Sequence, residues 1–452
     1  MATPLFAFQR VGAEFLAARR NALLADEMGL GKSAQAIAAA DLIGAEHILV
    51  LTPTSGRIQW MREFQQFSTV DRPMAMWEPG KAIRPRSVLT VGWANLTDAL
   101  PQLRNFRWDL IIADEAHYAK NLEAQRSLAF YGPAASGKGA IIECARRVWP
   151  LTGTPMPNHP GELYPLLRGL FPDVLRLVGG NAIMTQPMFN HRYTNTAQMV
   201  NPAGKLISKV VSGKNLDELG GRLRQVMLRR RAASVLDLPP IMFRPVILDA
   251  GDAAARLRAV ENDPRFAAIK AELDRANGDV LAALEASSPH LAGLRAQLGM
   301  IKALPVAELV ADELEAGLDK IVIFAWHRDV IDLIAKRLAP YGVEVITGAN
   351  TTAERQASVD NFQGIPSKRV LVCQIIAAGE LWTMTAARHL LFAEYSFTPK
   401  DMAQAAKRIH RISQVRSCLV RFAGLAGSLD EGIVRVLARK VQMIRETLNE
   451  VA

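Results

Sequence analysis

Leu23 to Ser33 reads LLADEMGLGKS, and the chain is best taken outward from there. Leu23 and Leu24 end a short apolar run, Gly29 and Gly31 follow, and Lys32 and Ser33 come directly after them. Behind lies AQAIAAADLI, an alanine-rich stretch whose composition predicts a helix. Glycines between an apolar run and a helix let backbone N–H groups close around phosphate oxygens, and the helix N-terminus adds the positive end of its dipole. Lys32 is then the residue that reaches the β and γ phosphates of a nucleotide, and the Ser33 hydroxyl helps hold Mg²⁺. The strict pattern G-x-x-x-x-G-K-[ST] is not met, because Asp26 stands where its first glycine belongs. Alone, the stretch also reads as a glycine-rich turn before a helix, so the neighbouring segments decide.

Downstream, HILVLTPTS (47–55) is an apolar run closed by Thr52 and a Pro-containing exit loop, the pattern of a buried parallel strand. GRIQWMREFQQF is expected to be helical with Ile58, Met61 and Phe64 inward, and SVLTV (87–91) is a further strand. WDLIIADEAHYAKN (108–121) supplies another buried strand, with Asp114-Glu115-Ala116-His117 at its C-terminal end. Open α/β sheets bind ligands beyond their strand C-termini. There one carboxylate can hold Mg²⁺ and its neighbour can orient or activate the attacking water. Upstream, PLFAFQRVGAEFLAARR predicts an amphipathic helix with Phe6, Phe8, Val11, Phe15 and Leu16 as its core face. Gln9 is the exception on it, placed just ahead of the loop to read a nucleotide base.

GPAASGKG (132–139) fits G-x-x-x-x-G-K better, but Gly139 replaces the metal-binding hydroxyl and no buried strand precedes it, so it reads as an insertion. In RRVWPLTGTPMPN, Val148 and Leu151 suggest a strand interrupted by Pro150, and Thr152 to Pro155 a hydroxyl-rich turn. Between 160 and 240, helical pieces alternate with polar loops. Arg222, Arg224, Arg229, Arg230 and Arg231 gather there, as a solvated face or a phosphate track.

Residues 251–315 read as bridging helices, after which α/β alternation restarts. KIVIFAW, VEVITG, RVLVCQI and HLLFAEY are strands, and VIDLIAKRL and TTAERQASVDNFQ are helices between them. DMAQAAKRIHRISQ (401–414) predicts a helix with Gln404, Lys407, Arg408 and Arg411 on one face. This second sheet has no phosphate loop of its own, so the arginines are expected to complete the first domain's site.

The expected domains are an ATPase lobe (1–240, with a helical insertion at about 160–235), a helical linker (241–300) and a second lobe (301–452). The chain has 452 residues, 50% hydrophobic and 22% charged, ordinary for a globular protein. No apolar run approaches a membrane span, and MATPLFAFQR lacks the order of a secretory signal, so a cytoplasmic location is expected. Three separated cysteines and eight histidines without ligand spacing point away from a disulfide framework or a structural metal. Net charge is +10, which suits a polyanionic partner.

Taken in order, DEMGLGKS, DEAH followed by AKN, LTGTPMPNHPGELYPLL, MLRRRAASVLDLPP (227–240) and QAAKRIHRISQ resemble the motifs of the Swi/Snf family of superfamily 2 helicase-like ATPases. IIAAGELWTMTAARHLLFAEYSFTP most resembles the subgroup that includes annealing helicases and fork-remodelling enzymes. The resemblance implies two RecA-like lobes, each a mostly parallel sheet covered by helices, with ATP and Mg²⁺ as cofactors. It implies double-stranded DNA, branched or forked forms included, as the partner. Residue by residue, it implies that Gln9 recognises adenine with Gln404 nearby, that Gly29, Gly31, Lys32 and Ser33 hold the phosphates, and that Ser33 and Asp114 hold the metal. Glu115 would activate water, Arg408 and Arg411 would act as arginine fingers, and Thr52, Thr152, Thr154 and Gly379 would couple the site to DNA. The implied activity is duplex translocation, with a strand-separating DNA or RNA helicase as the rival. Leu381-Trp382 and Ser413 depart from the family pattern, where a Gly-Leu pair and a glycine are usual. High Ala and Arg usage leans towards a bacterial or phage source and a nucleoid-associated protein, with a nuclear location if the source is eukaryotic.

Overall fold

The computed structural model describes residues 2–441 except 154, 157–158, 178, 201–205, 237, 264–287, 376–381, 397–398, 429 and 439–440. The chain divides into two units, Met1–Val235 and Leu236–Ala452.

In the first unit, apolar runs become the strands β1 (Leu23–Leu24), β2 (Ile48–Thr52), β3 (Met74–Met76), β4 (Val88–Gly92), β5 (Trp108–Asp114) and β6 (Ala145–Leu151). A hairpin of β7 (Thr194–Val200) and β8 (Leu206–Gly213) follows, then β9 (Met227–Leu228). Seven of them form one sheet in the order β3-β4-β2-β5-β6-β1-β9, every pairing parallel. Parallel neighbours need crossovers, so both faces are covered and the strands are apolar throughout. Ile48, Val50, Leu110 and Ile112 enter one core layer with Leu16, Ile37 and Trp149. Leu49, Leu51, Ile111 and Ala113 enter the opposite layer with Trp93 and Phe130. Each such Leu, Ile or Val contributes about 1.5–3 kcal/mol on burial.

Four readings of this unit are corrected. The segment expected to hold only helices and loops contains the antiparallel hairpin β7–β8, whose polar-rich sequence lacks a strong strand signal. The first helix, α1 (Ala7–Ala17), buries Gln9, Gly12, Ala13 and Leu16, while Phe6 and Val11 are about half exposed. The strict i, i+3, i+4, i+7 series is thus the small and polar one, which lets α1 lie close against α2 (Lys32–Leu42). On α3 (Gly56–Phe67), Trp60 and Phe64 are buried, whereas Ile58 and Met61 are only partly so. Pro150 does not interrupt β6, which pairs with β5 through Ala113↔Pro150 to Asp114↔Leu151.

The second unit holds β10 (Ile241–Leu248), β11 (Ile321–Ala325), β12 (Val343–Ile346), β13 (Val370–Gln374), β14 (His389–Phe392) and β15 (Cys418–Leu425). Their order is β10-β15-β14-β11-β13-β12, again all parallel. Phe324, Phe392 and Phe422 stack across three adjacent strands. Residues 241–248, expected to open a helical linker, are instead an edge strand paired along its length with β15. An edge position tolerates Pro245, which pairs with Phe422. A single 28-residue helix, Ser288–Glu315, runs through the expected linker boundary at 300.

Candidate functional site

β1 and β2 are consecutive in the chain but separated in the sheet by β6 and β5. That crossover sets the phosphate loop, the end of β2, the DEAH residues and the turn after β6 at the same carboxyl edge. The sequence expectation for this half of the site rests on that edge.

The loop from Ala25 to Gly31 passes Gly29 at φ 90° and Gly31 at φ 68°, left-handed conformations that glycine adopts without strain. Gly31 is the N-cap of α2, so Lys32 and half-buried Ser33 open its first turn. Lys32 Nζ lies 3.0 Å from the Asp26 carbonyl oxygen, folded back over its own loop. Gln9 is buried beside it: Oε1 accepts the Phe6 N–H at 3.0 Å and Nε2 donates to the Leu30 carbonyl at 3.2 Å. The residue chosen as the base reader is therefore built into the loop's own support. Gly153, in the turn after β6, leaves no room for a side chain, since a Cβ there would meet Met28 Cγ at 2.7 Å and Lys32 Nζ at 3.4 Å.

Asp114 is held from three sides. Its Oδ2 accepts the Trp60 indole N–H at 2.8 Å and the Thr52 hydroxyl at 3.2 Å, and its Oδ1 accepts the Glu115 N–H at 3.0 Å. The Trp93 indole N–H donates to its carbonyl at 2.7 Å. Burial pushes its carboxyl up to about 7, with help from the Glu115 charge, against the Trp60 hydrogen bond and the Lys32 ammonium, which pull it down. Glu115 is buried with φ 49°, ψ 50°, a left-handed backbone that costs a non-glycine residue about 1–3 kcal/mol. His117 Nδ1 lies 3.2 Å from Glu115 Oε2 and 3.1 Å from Thr152 Oγ1. Thr152 is thereby connected to Glu115 through one imidazole. Thr154 and Gly379 lie outside the described residues.

Ser33 and Asp114 offer one hydroxyl and one carboxylate, and among the described residues no three His, Cys, Asp or Glu gather into a cage. Such a sparse oxygen set fits Mg²⁺, which keeps waters and takes its remaining ligands from phosphates.

In the second unit, the helix carrying Gln404 spans Pro399–Ala406 and stops before the arginines. Gln404, Lys407, Arg408 and Arg411 therefore do not share one helical face, which corrects the sequence reading. Beyond Ala406 the Arg408 N–H donates to the Ala405 carbonyl at 3.0 Å, and the Arg408 carbonyl accepts the Met384 N–H at 2.9 Å. The Gln414 amide donates to the carbonyls of Thr385, Ala387 and Ile409 and pins the following turn. Arg408 is buried, and Arg411 donates to Thr383 Oγ1 at 2.7 Å and to the Lys407 carbonyl at 3.3 Å.

Sequence reasoning missed Trp60 and Trp93, and it named His117 and Arg230 without the partners they hold. Tryptophans at helix spacing announce burial but not the carboxylate they serve. Two members of the arginine cluster are tied inward, while Arg224 is exposed. Arg222 is spent on Glu218 and on the Val174 and Arg176 carbonyls, and Arg230 on Asp26. The second glycine-rich stretch follows a helix, Gln125–Tyr131, and its Lys138 is exposed, so it lacks the strand-loop-helix setting.

A family described as SNF2-related domain matches residues 8–249, and the helicase conserved C-terminal domain matches residues 305–413. The mouse DNA annealing helicase and endonuclease ZRANB3 is 31% identical over 99% of this chain and 41% of its own length. The SWI/SNF-related matrix-associated actin-dependent regulator of chromatin subfamily A-like protein 1 of Xenopus tropicalis is 29% identical over 97% of this chain and 44% of its own. The chain thus spans less than half the length of these relatives. The Sulfolobus solfataricus SWI2/SNF2 ATPase core in complex with dsDNA is 22% identical, covers 98% of this chain and 92% of that one, and has a TM-score of 0.44. With the first family matching just over half of its residues, the chain belongs to the SNF2-related, Swi/Snf family of superfamily 2 helicase-like ATPases.

Proposed function

We propose that this chain is an ATP-dependent translocase that tracks on double-stranded DNA. The observation that carries the reading is the joining, at one sheet edge, of a left-handed glycine loop ending in Lys32 and Ser33 with the buried pair Asp114 and Glu115. Lys32 would leave the Asp26 carbonyl for the β and γ phosphates, and Ser33 and Asp114 would hold Mg²⁺. The metal, when bound, neutralises charge on the transferred phosphoryl group. Glu115, backed by His117 and Thr152, would take the proton of the attacking water. Arg408 and Arg411 would supply positive charge to the γ-phosphate, and Gln9 and Gln404 would serve the base. Thr52, Thr152, Thr154 and Gly379 would pass the state of the nucleotide to DNA. The names of the annealing-helicase relatives support DNA as the partner, and branched or forked duplexes are the form we propose.

The test is an ATPase assay with duplex, forked duplex, single-stranded DNA and RNA as stimulants. Stimulation by duplex and forked DNA above the others is the expected result. Equal or greater stimulation by RNA or single strands would replace the reading with that of a strand-separating helicase.

A further inference from the structure

Asp26, the residue that breaks the strict phosphate-loop pattern, is fully buried and carries a dense set of bonds. Arg230 Nε donates to its Oδ1 at 3.0 Å, Arg230 Nη2 to its Oδ2 at 2.5 Å, and the Arg230 backbone N–H to its Oδ1 at 3.0 Å. The Gln35 amide adds a bond to Oδ2 at 3.1 Å. The same guanidinium donates to Gln35 Oε1 at 2.7 Å and to the Phe8 carbonyl, beside Gln9. One side chain thereby ties together α1, the phosphate loop and α2. The backbone does the same, because the β1–β9 ladder continues past both strands. Ala25 N–H donates to the Leu228 carbonyl at 2.7 Å and Glu27 N–H to the Arg230 carbonyl at 2.9 Å. Glu27 Oε2 then accepts the Ala232 N–H at 2.7 Å. Three residues beyond Ala232 the first unit ends, at Val235.

We propose that Arg230 is a positioning residue for the ATP site: it fixes the phosphate loop to the segment through which the chain leaves the first unit. The proposal rests on the ATP reading above. A planar guanidinium with several fixed donors can serve Asp26, Gln35 and Phe8 at once, which a lysine ammonium cannot. Asp26 is then not a degenerate glycine but the acceptor that anchors the loop. Movement of the exit segment and the shape of the phosphate cradle become one variable.

The experiment compares wild type, Arg230→Lys, Asp26→Asn and Asp26→Gly by ATPase kinetics and by the rise in melting temperature that Mg²⁺ with a slowly hydrolysed ATP analogue produces. Arg230→Lys should raise the KM for ATP by about tenfold or more while kcat changes by less than about threefold. The analogue-induced rise should shrink relative to the variant's own nucleotide-free melting point. Asp26→Asn keeps the shape and one acceptor and should fall between. Asp26→Gly restores the strict pattern yet should bind ATP more weakly than wild type. Wild-type KM and a full analogue-induced rise in Arg230→Lys would overturn the proposal. If that variant does not fold, the Asp26→Asn KM decides in the same way. A wild-type protein that neither binds nor hydrolyses ATP would overturn the ATP reading itself, and this proposal with it.

Discussion

The two buried carboxylates, neighbours in the chain, have different surroundings. Asp114 faces two side-chain donors, Trp60 and Thr52, while Glu115 faces His117. Lys32→Ala should weaken ATP binding, seen as a higher KM, whereas Glu115→Gln should bind ATP normally and lose turnover, because only the latter removes the proton acceptor. Titration of nucleotide binding alongside phosphate release separates the two, and a Glu115→Gln protein that hydrolyses ATP at the parent rate would refute the assignment. Asp114 also makes a prediction about pH. Its carboxyl is raised to about 7 in the folded, metal-free protein, so between its ordinary value near 4 and about 7 the folded state holds a proton that the unfolded state has lost. Its contribution to stability is therefore greatest at the acidic end and declines as pH rises through that window. Thermal melts in a chelating buffer should show this slope in wild type and a flatter one in Asp114→Asn. The loop and the DEAH residues were legible in sequence because their chemistry is local. Trp60 and Arg230 were not, since the carboxylates they serve lie 54 and 204 residues away.

At the scale of elements, continuous apolar runs revealed the central strands of both sheets. They could not reveal β10 and β15, where Pro245, Arg244 and Arg421 interrupt the pattern and only pairing makes the strand. Helix ends were the weaker reading too. The periodic arginines after Gln404 look helical until the Arg408 carbonyl is claimed by Met384, a contact no local pattern announces. That turn yields its own prediction. Arg411→Ala should lower kcat by about 10³-fold with little change in ATP affinity if its guanidinium acts on the γ-phosphate. Lys138→Ala, in the glycine-rich stretch without the right setting, should leave ATPase kinetics at the wild-type level. Unaltered turnover in Arg411→Ala would reduce the residue to its observed structural bonds with Thr383 and Lys407.

For the whole molecule, the order of motifs made the two-unit α/β plan readable, while the division falls at 235 and residues 241–248, read as linker, form an edge strand. The excess of 54 Lys and Arg over 44 Asp and Glu bears on how such a protein would hold DNA. Contacts to phosphates carry no sequence information and release counterions, so duplex binding should be sequence-tolerant and weaken steeply with salt. A translocase that follows the backbone of an intact duplex has no need to part its strands. ATP hydrolysis should then displace the third strand of a triplex while a long blunt duplex stays paired. Both assays belong on the same preparation, with Glu115→Gln as the control that binds but does not turn over. Triplex displacement that requires ATP and fails in Glu115→Gln is the expected outcome. ATP-dependent unwinding of long duplexes without triplex displacement would show that the motor separates strands, and the translocase reading would fall.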